Sequence, residues 1–453
     1  MEDLLNNDNL IMKKLLLIGV FTITFFAANA QVKNWTLQEC VVYALENNIS
    51  VKQSELDVQA TALERSDAVG NFLPSINASS SVSKTTGLGL NPVTNQLENR
   101  VFLSANGGVN LGYTLFDGLR NVRQVQRADI SQLASQYRLE KMKDDIALFV
   151  ANSYLQVLLN KANLEVVLTQ NDVTKNQIVR TQQLVNAGSI PRGDLLEIQA
   201  TNASELQRIA VAENAVQISL ISLAQLLLIK DYANFDIAND DFNVVNEEIA
   251  DTPVSTLIES AKENRQEIRI AESQVALAEK DIQISKGALL PTVNAFFGYD
   301  TRYSDGDINT PFKQQIYIND GVGYGLSLSV PILNGFRARN NVSRSKINLD
   351  RTQFQLEQAQ LDLESNVYQA MVDVRGSKRA YEAAQVAFES QELAYTYAKD
   401  RYDVGRTNAF DFSQSKLRYD NARIEINRTK YDYIFKLKVL ELYFGVDPTQ
   451  LKF

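Results

Sequence analysis

The chain has 453 residues, and its 45 Lys+Arg against 54 Asp+Glu give a formal net charge of −9. This acidic balance argues against a nucleic-acid-binding groove, which needs a basic face. A single cysteine, Cys40, and the absence of histidine exclude an intrachain disulfide, a Cys/His zinc site and a histidine general base.

The N-terminus has the pattern of a secretory signal peptide. A basic start at Met12 is followed by an apolar core over residues 15–27 and an A-x-A cleavage site at residues 28–30. We therefore expect residues 1–30 to be a leader and signal peptide, with translation starting at Met12. The mature protein is expected to begin at Gln31.

The remaining chain contains two copies of one unit. Pairs of matching residues recur at a constant separation of 217 positions, which is a repeat signature. The pairs include Gly70 and Gly287, Pro74 and Pro291, Gly118 and Gly335, Gly188 and Gly405, and Asp194 and Asp411. We interpret residues 36–230 as the first repeat, 253–447 as the second, and the Asp- and Asn-rich segment 231–252 as a linker.

The sequences of the two repeats predict the same elements in the same order. These are a short helix, a second helix, two strands separated by a polar loop, a very long helix, a glycine break and another long helix. The long helices consist mostly of strong helix formers. A 68-residue helix is ~100 Å long and must bury an apolar stripe against other helices along its length. We expect the helices at 36–48, 50–70, 119–186 and 193–228, and at 254–264, 266–287, 336–403 and 408–444.

The predicted strands alternate between apolar and small polar residues. This alternation is typical of membrane β-barrels, although a soluble sandwich with one solvated face uses the same pattern. The signal peptide and the rarity of charge on these strands favour the barrel. The residues expected to face lipid are Leu111, Tyr113, Leu326, Leu328 and Val330.

Four strands are too few to close a barrel. An open strand edge is not tolerated in lipid, because its backbone groups lack hydrogen-bond partners there. Several chains must therefore share one barrel, and three chains supply twelve strands. The strand count thus predicts an oligomer in which several chains share one barrel.

At this point the sequence resembles the TolC-type outer-membrane efflux channels over almost the whole mature chain. Each shared motif is weak alone, but their order, spacing and duplication are specific. The motifs are ALENN at 44–48, GNFLP at 70–74, LFDG at 115–118, GALLP at 287–291, VPILNG at 330–335 and YDVG at 402–405.

The resemblance implies a mostly α fold with a membrane β-barrel contribution: a trimer with a shared twelve-stranded barrel in the outer membrane and an α-helical tunnel in the periplasm. It implies a passive conduit of a tripartite efflux or type I secretion system. The partners would be a periplasmic adaptor (membrane fusion) protein and an inner-membrane pump of the RND or ABC type. The resemblance implies no enzyme activity and no cofactor.

The resemblance also identifies a periplasmic tip at the two helix breaks. Gly188, Val404, Gly405 and Thr407 would form the adaptor-docking tip, and each glycine is needed if its turn adopts positive φ. The implied gate residues are Asp194, Tyr402, Arg406, Asp411 and Gln414.

Among the gate residues, Asp411 matches a gate carboxylate and Tyr402 matches a tyrosine that bonds Asp194. Gln414 stands where a second carboxylate is expected, and Arg406 lies one place before the family's arginine. Asp194 and Asp411 can alternatively be read as first-turn helix caps.

The competing interpretation is a secreted periplasmic coiled-coil protein, structural or adaptor in role, whose strands form a soluble domain. An enzyme has no support in the sequence, because it contains no phosphate-binding glycine loop, no nucleophile elbow and no metal-ligand spacing. No nucleic-acid partner is expected either.

Overall fold

A computed structural model describes residues 34–91, 95–239, 247–307 and 309–446. The predicted signal peptide and the expected N-terminus at Gln31 lie outside these residues. The first repeat consists of β1 (Asn34–Trp35), α1 (Leu37–Asn47), α2 (Ile49–Gly70), β2 (Ser75–Leu90), β3 (Leu97–Phe116), α3 (Arg120–Asn186) and α4 (Arg192–Leu226).

The second repeat follows a short connecting strand, β4 (Asp236–Ile237), and a 3₁₀ turn, Glu247–Asp251. Its elements are α5 (Val254–Asn264), α6 (Gln266–Gly287), β5 (Thr292–Ser304), α7 (Phe312–Ile318), β6 (Gly321–Ser329), α8 (Arg337–Asp403) and α9 (Ala409–Tyr443). The helices α5, α6, α8 and α9 each begin and end 217 residues after α1, α2, α3 and α4.

The helix ends follow local capping chemistry. Thr36 and Glu39 form a capping box at the start of α1: the Thr36 hydroxyl accepts from the Glu39 backbone N–H at 3.3 Å, and the Glu39 carboxylate accepts from the Thr36 N–H at 3.0 Å. Each long helix begins after a tight turn from the preceding strand. Leu119 and Phe336 have φ of 65° and 63° there, which is uncommon for residues with a side chain.

The four long strands form one antiparallel sheet in the order β2-β3-β5-β6. The central pairing, β3 with β5, joins the two repeats. Within the described residues, β2 and β6 lie at the two edges, and each pairs with one neighbour only. The sheet is therefore an open, four-stranded segment, as the sequence predicts.

The linker is partly built into the core. Its strand β4 pairs in parallel with β1, and Phe235 and Ile237 are buried in the hydrophobic cluster of α1, α3 and α4. The Tyr154 hydroxyl of α3 donates to the carbonyls of Trp35 and Ala238, at 3.2 and 3.1 Å. This segment therefore fastens the N-terminus of the first repeat to its long helix, a role that its polar composition does not indicate.

One described helix, α4, is long and apolar enough to cross a membrane by length and composition alone. It packs against α3 along much of its length, and Leu195, Ile198 and Leu223 are buried there. Other apolar residues of α4, including Val211, Ile218 and Ile221, are exposed in the single chain.

Candidate functional site

The strand register places the predicted lipid-facing residues on one face of the sheet. Leu111 lies opposite Phe297, which lies opposite Tyr324; Tyr113 lies opposite Ala295, which lies opposite Leu326. Directly paired residues share a face, so Leu111, Tyr113, Leu326 and Leu328 all lie on the same side. Leu326 and Leu328 are 70% and 68% exposed in the single chain.

Val330 departs from this set, since β6 ends at Ser329. The residue after Val330 is Pro331, which has no N–H to donate to a neighbouring strand. The predicted strand therefore extends one residue too far, because it includes Val330. Val330 is half exposed in the connection between β6 and α8.

The opposite face of the sheet carries short polar side chains. Asn77 lies opposite Asn110, the Thr114 hydroxyl donates to the Asn294 side chain at 3.0 Å, and Ser327 lies opposite Asn294. Phe296 lies against Gly325 on this face, where a Cβ would be 3.0 Å from the ring. The sheet is thus amphipathic across its whole width, with one apolar and one polar face.

The helix breaks at the far end of the molecule are tight glycine turns. Gly188 and Gly405 have φ of 71° and 73°, so both turns adopt the positive φ for which glycine is needed. The N–H of Gly405 donates to the Tyr402 carbonyl at 3.0 Å and that of Arg406 to the Arg401 carbonyl at 2.8 Å. Gly188 and Ser189 repeat these bonds, so both helices end in a Schellman motif.

The two candidate gate carboxylates lie in the first turns of α4 and α9. The Asn408 side chain accepts from the Asp411 backbone N–H at 2.8 Å, and Thr407 donates to the Asp411 carboxylate at 3.4 Å. Asp194 is partly exposed at the start of α4. Each carboxylate therefore lies in the first helical turn, near the positive end of a helix dipole. Gln414 is exposed one turn after Asp411.

Tyr402 has a different partner from the one that the resemblance implied. Its hydroxyl hydrogen-bonds to Thr181 of α3 at 2.9 Å, rather than to Asp194. The end of α8 lies beside the last turns of α3, so the structure has a Tyr402–Thr181 bond in place of the expected Tyr402–Asp194 bond. Burial raises the pKa of Tyr402, the Thr181 bond opposes that rise, and the Asp194 charge adds to it.

Arg180 forms an ion pair at the same level. Its guanidinium donates to the Asp403 carboxylate at 2.6 Å and to the Asp403 carbonyl at 2.7 Å. Arg406, the predicted gate arginine, is exposed after the glycine turn. The sequence contains no local signal for the Arg180 contact, because its two residues are 223 positions apart.

A buried polar cluster connects α3, α4 and α9 above the tip. The Lys416 ammonium donates to Thr174 at 2.7 Å and to the Glu205 carboxylate. Asn171 donates to the other Glu205 oxygen at 3.1 Å. Burial raises the pKa of the adjacent Asp420 to about 6, against the opposing effect of Lys416.

This polar cluster was not predictable from the sequence, because Lys416 is 242 residues from Thr174 and 211 residues from Glu205. Among the described residues, no group of three or more Asp, Glu or Cys side chains is arranged to hold a metal ion.

The chain matches the family model for outer membrane efflux protein over residues 41–227 and 257–446. It is 25% identical over 382 residues to outer membrane protein TolC of Vibrio cholerae, covering 82% of this chain and 81% of that protein. It is 23% identical over 376 residues to Protein CyaE of Bordetella pertussis, covering 82% and 75% of the two chains. Its fold is similar to the CmeC outer membrane channel of Campylobacter jejuni, with a TM-score of 0.77, 18% identity and coverage of 90% and 85%.

Proposed function

Because this chain belongs to the outer membrane efflux protein family, we propose that three copies form one channel that receives substrate from a periplasmic adaptor and an inner-membrane pump. The observation that supports this assembly is the open, four-stranded amphipathic sheet, whose strands lead directly into helices of 67 residues. Three such sheets close a twelve-stranded barrel without an exposed edge. The helices extend ~100 Å from it.

The channel takes part in tripartite efflux or type I secretion, with a pump of the RND or ABC type. It needs no chemistry of its own, because the pump supplies the energy and the channel supplies the path. The apolar face, which includes Leu111, Tyr113, Leu326 and Leu328, contacts lipid, and the polar face lines the lumen. Val330 lies at the periplasmic end of this lipid-facing region.

The experiment that tests the assembly combines fractionation with a mass measurement. We expect the protein in the outer membrane, released only by detergent, with a native mass of three chains and ion conductance in a planar bilayer. A periplasmic wash that releases the protein without detergent would instead support the soluble coiled-coil alternative. A membrane-inserted single chain would contradict the shared barrel.

The adaptor docks at the tip formed by Gly188, Val404, Gly405 and Thr407. Val404 is 68% exposed there, and the two glycine turns give each hairpin a compact end. Adaptor crosslinking to a residue introduced at Val404, with a residue at exposed Val372 of α8 as the control, tests this docking site. Equal crosslinking at both positions would contradict it.

The gate lies at the same end and includes Asp194, Tyr402, Arg406 and Asp411. Three-fold symmetry brings three Asp411 carboxylates near one axis, where they attract cations, and salt screens the effect. Gln414 supplies no second ring of charge, so block by divalent cations is expected to be weak. Asp411→Ala is expected to weaken it further, and an unchanged block in a planar bilayer would exclude Asp411 from the pore.

A further inference from the structure

The connection between β5 and β6 contains the short helix α7, Phe312–Ile318, which has no counterpart among the described residues of the first repeat. The helix α6 ends just before β5, and α8 begins just after β6. The connection therefore lies at the end of the sheet opposite the long helices, which is the extracellular end of the proposed barrel.

Two side chains of this connection replace strand pairing at the end of β5. The pairing of β5 with β6 ends at Asp300, but β5 continues to Ser304. The Gln315 side chain accepts from the Ser304 backbone N–H at 2.9 Å, and the Asn319 side chain donates to the Arg302 carbonyl at 3.1 Å. These bonds satisfy backbone groups of β5 that β6 does not reach.

Gln315 fixes α7 firmly in this position. It is 1% exposed, and its side-chain amide donates to the carbonyls of Asp307 and Thr310 at 3.0 and 2.8 Å, in addition to accepting from Ser304. A buried amide with three hydrogen bonds holds its surroundings in one arrangement. The helix is therefore a built part of the sheet's end.

The contacts of α7 place it against the apolar face of the sheet. Tyr299 lies on that face, and side chains alternate along a strand, so Thr301 and Tyr303 lie there as well. The Thr301 hydroxyl donates to the Ile316 carbonyl at 2.6 Å. The ring of Phe312 packs edge-on against that of Tyr303, with centroids 5.0 Å apart.

The level of this contact matches the outer boundary of a bilayer. Tyr303 lies ten residues after Val293, the first residue of β5 on the apolar face. At ~3.3 Å per residue this is ~33 Å of strand. A tilt of ~40° reduces the height to ~25 Å, which is the height of the apolar band in outer-membrane barrels. Aromatic residues gather at the edges of that band, so α7 lies where the lipid headgroups begin.

The polarity of α7 is the reverse of that expected for a helix in water. A water-exposed helix turns its apolar residues toward the protein. In α7 the buried residue is the polar Gln315, whereas Phe312, Tyr317 and Ile318 are 55%, 70% and 62% exposed. Such side chains are favourable at a bilayer interface, where an aromatic ring contacts lipid and a tyrosine hydroxyl stays hydrated.

We propose that α7 is an interfacial helix that inserts Phe312, Tyr317 and Ile318 into the outer surface of the lipid bilayer. Its partner is the boundary between headgroups and acyl chains of the outer leaflet. The proposal rests on the membrane barrel of the proposed function and adds a lipid-binding element outside the strands. Three copies of α7 around the channel then fix the depth of the barrel in the membrane.

Fluorescence quenching by lipid tests this contact. Tyr317→Trp is reconstituted into phosphatidylcholine vesicles that carry bromine either near the headgroup or deep in the acyl chain. Bromine quenches tryptophan only at close range. The single native tryptophan, Trp35, packs against Tyr43 and Phe235 in the helical part of the first repeat, and wild-type vesicles measure its background. We expect a larger loss of fluorescence with shallow than with deep bromine, because an interfacial helix lies ~5–10 Å into this boundary.

Two variants of β6 serve as matched controls. Tyr324→Trp lies on the apolar face, near the middle of the band, and is expected to be quenched more by deep bromine. Ser327→Trp lies on the polar face and is expected to be quenched by aqueous acrylamide but not by lipid. A native mass of three chains verifies that each variant has assembled, and Ile318→Trp provides an independent second reading on α7.

The outcomes separate the helix from the barrel. If lipid quenches Tyr324→Trp while only acrylamide quenches Tyr317→Trp and Ile318→Trp, α7 lies in water, and the proposal is overturned although the barrel stands. Protection of both α7 variants from both quenchers would mean that a neighbouring copy covers α7, which also overturns the lipid contact. An absence of lipid quenching in Tyr324→Trp would overturn the lipid-facing sheet and the proposed function with it.

Discussion

Removing the contacts between the two helical hairpins at the tip is expected to open the channel. The Tyr402–Thr181 hydrogen bond and the Arg180–Asp403 ion pair both join α8 to α3 within one chain. The double variant Tyr402→Phe with Arg180→Ala removes both contacts and leaves the glycine turns intact. Asp403 is part-exposed and stays solvated after the change.

The size of the effect follows from the exposure of each contact. A part-buried hydroxyl hydrogen bond contributes ~0.5–1.5 kcal/mol. The ion pair is discounted to ~0.2–1 kcal/mol, because its side chains are 47% and 33% exposed and water screens them. The loss is thus about 0.7–2.5 kcal/mol per chain, or about 2–7.5 kcal/mol if three chains open together. That energy corresponds to a shift of roughly thirtyfold to a few hundred thousandfold in the ratio of open to closed channels.

Single-channel recording in a planar bilayer measures this ratio as open probability. Thr396→Val is the control, because the Thr396 hydroxyl donates to the Glu392 carbonyl of its own helix at 2.9 Å, which is a contact within α8 rather than between the hairpins. We expect the double variant to be open far more often than the wild type, and the control to be unchanged. A double variant with wild-type open probability would show that other contacts hold the tip closed.

Three further outcomes are expected. Leu328→Arg should destabilise the barrel by ~2–4 kcal/mol in lipid, because the apolar face excludes charge, whereas Ser327→Arg on the polar face should be better tolerated; equal losses in urea titrations would show that the assigned faces are wrong. Gly405→Trp should reduce adaptor crosslinking while trimers remain in the membrane, because a φ of 73° is strained for any side chain; normal export would contradict the tip assignment. Asp420→Asn should raise the unfolding temperature above about pH 6 and have little effect below the ordinary Asp pKa of 3.8, because burial raises the pKa of Asp420 to about 6 in the folded chain. The folded state therefore loses stability as Asp420 ionises between these values, and the amide avoids that loss; an equal effect at both ends of this range would refute the reasoning.

The sequence predicts the helices of this fold to within a few residues. The reason is local: the long helices are almost free of proline, and their breaks carry glycines that recur at a fixed offset. The positive φ of Gly405 follows from the same pattern, since a residue with a Cβ resists that conformation. The alternation of the strands likewise predicts which of their residues share a face.

The side-chain contacts between the hairpins were not predictable in the same way. Tyr402 and Thr181 are 221 residues apart, and Lys416 and Glu205 are 211 apart, so neither pair follows the repeat offset. These pairs depend on how far one hairpin is shifted along the axis of the other. The repeat offset in the sequence does not specify that shift. The helix α7 was missed for a different reason, because it has only seven residues and no counterpart in the first repeat.

The same displacement gives the two glycine turns unequal heights. Arg180 lies six residues before the end of α3 but meets the last residue of α8, Asp403. At ~1.5 Å per residue, the first turn projects about 9 Å beyond the second. In the proposed trimer, longer and shorter hairpin ends then alternate around the tip. If the adaptor docks at the tip as proposed, we expect its hairpin to contact one longer and one shorter end, which favours a tilted orientation.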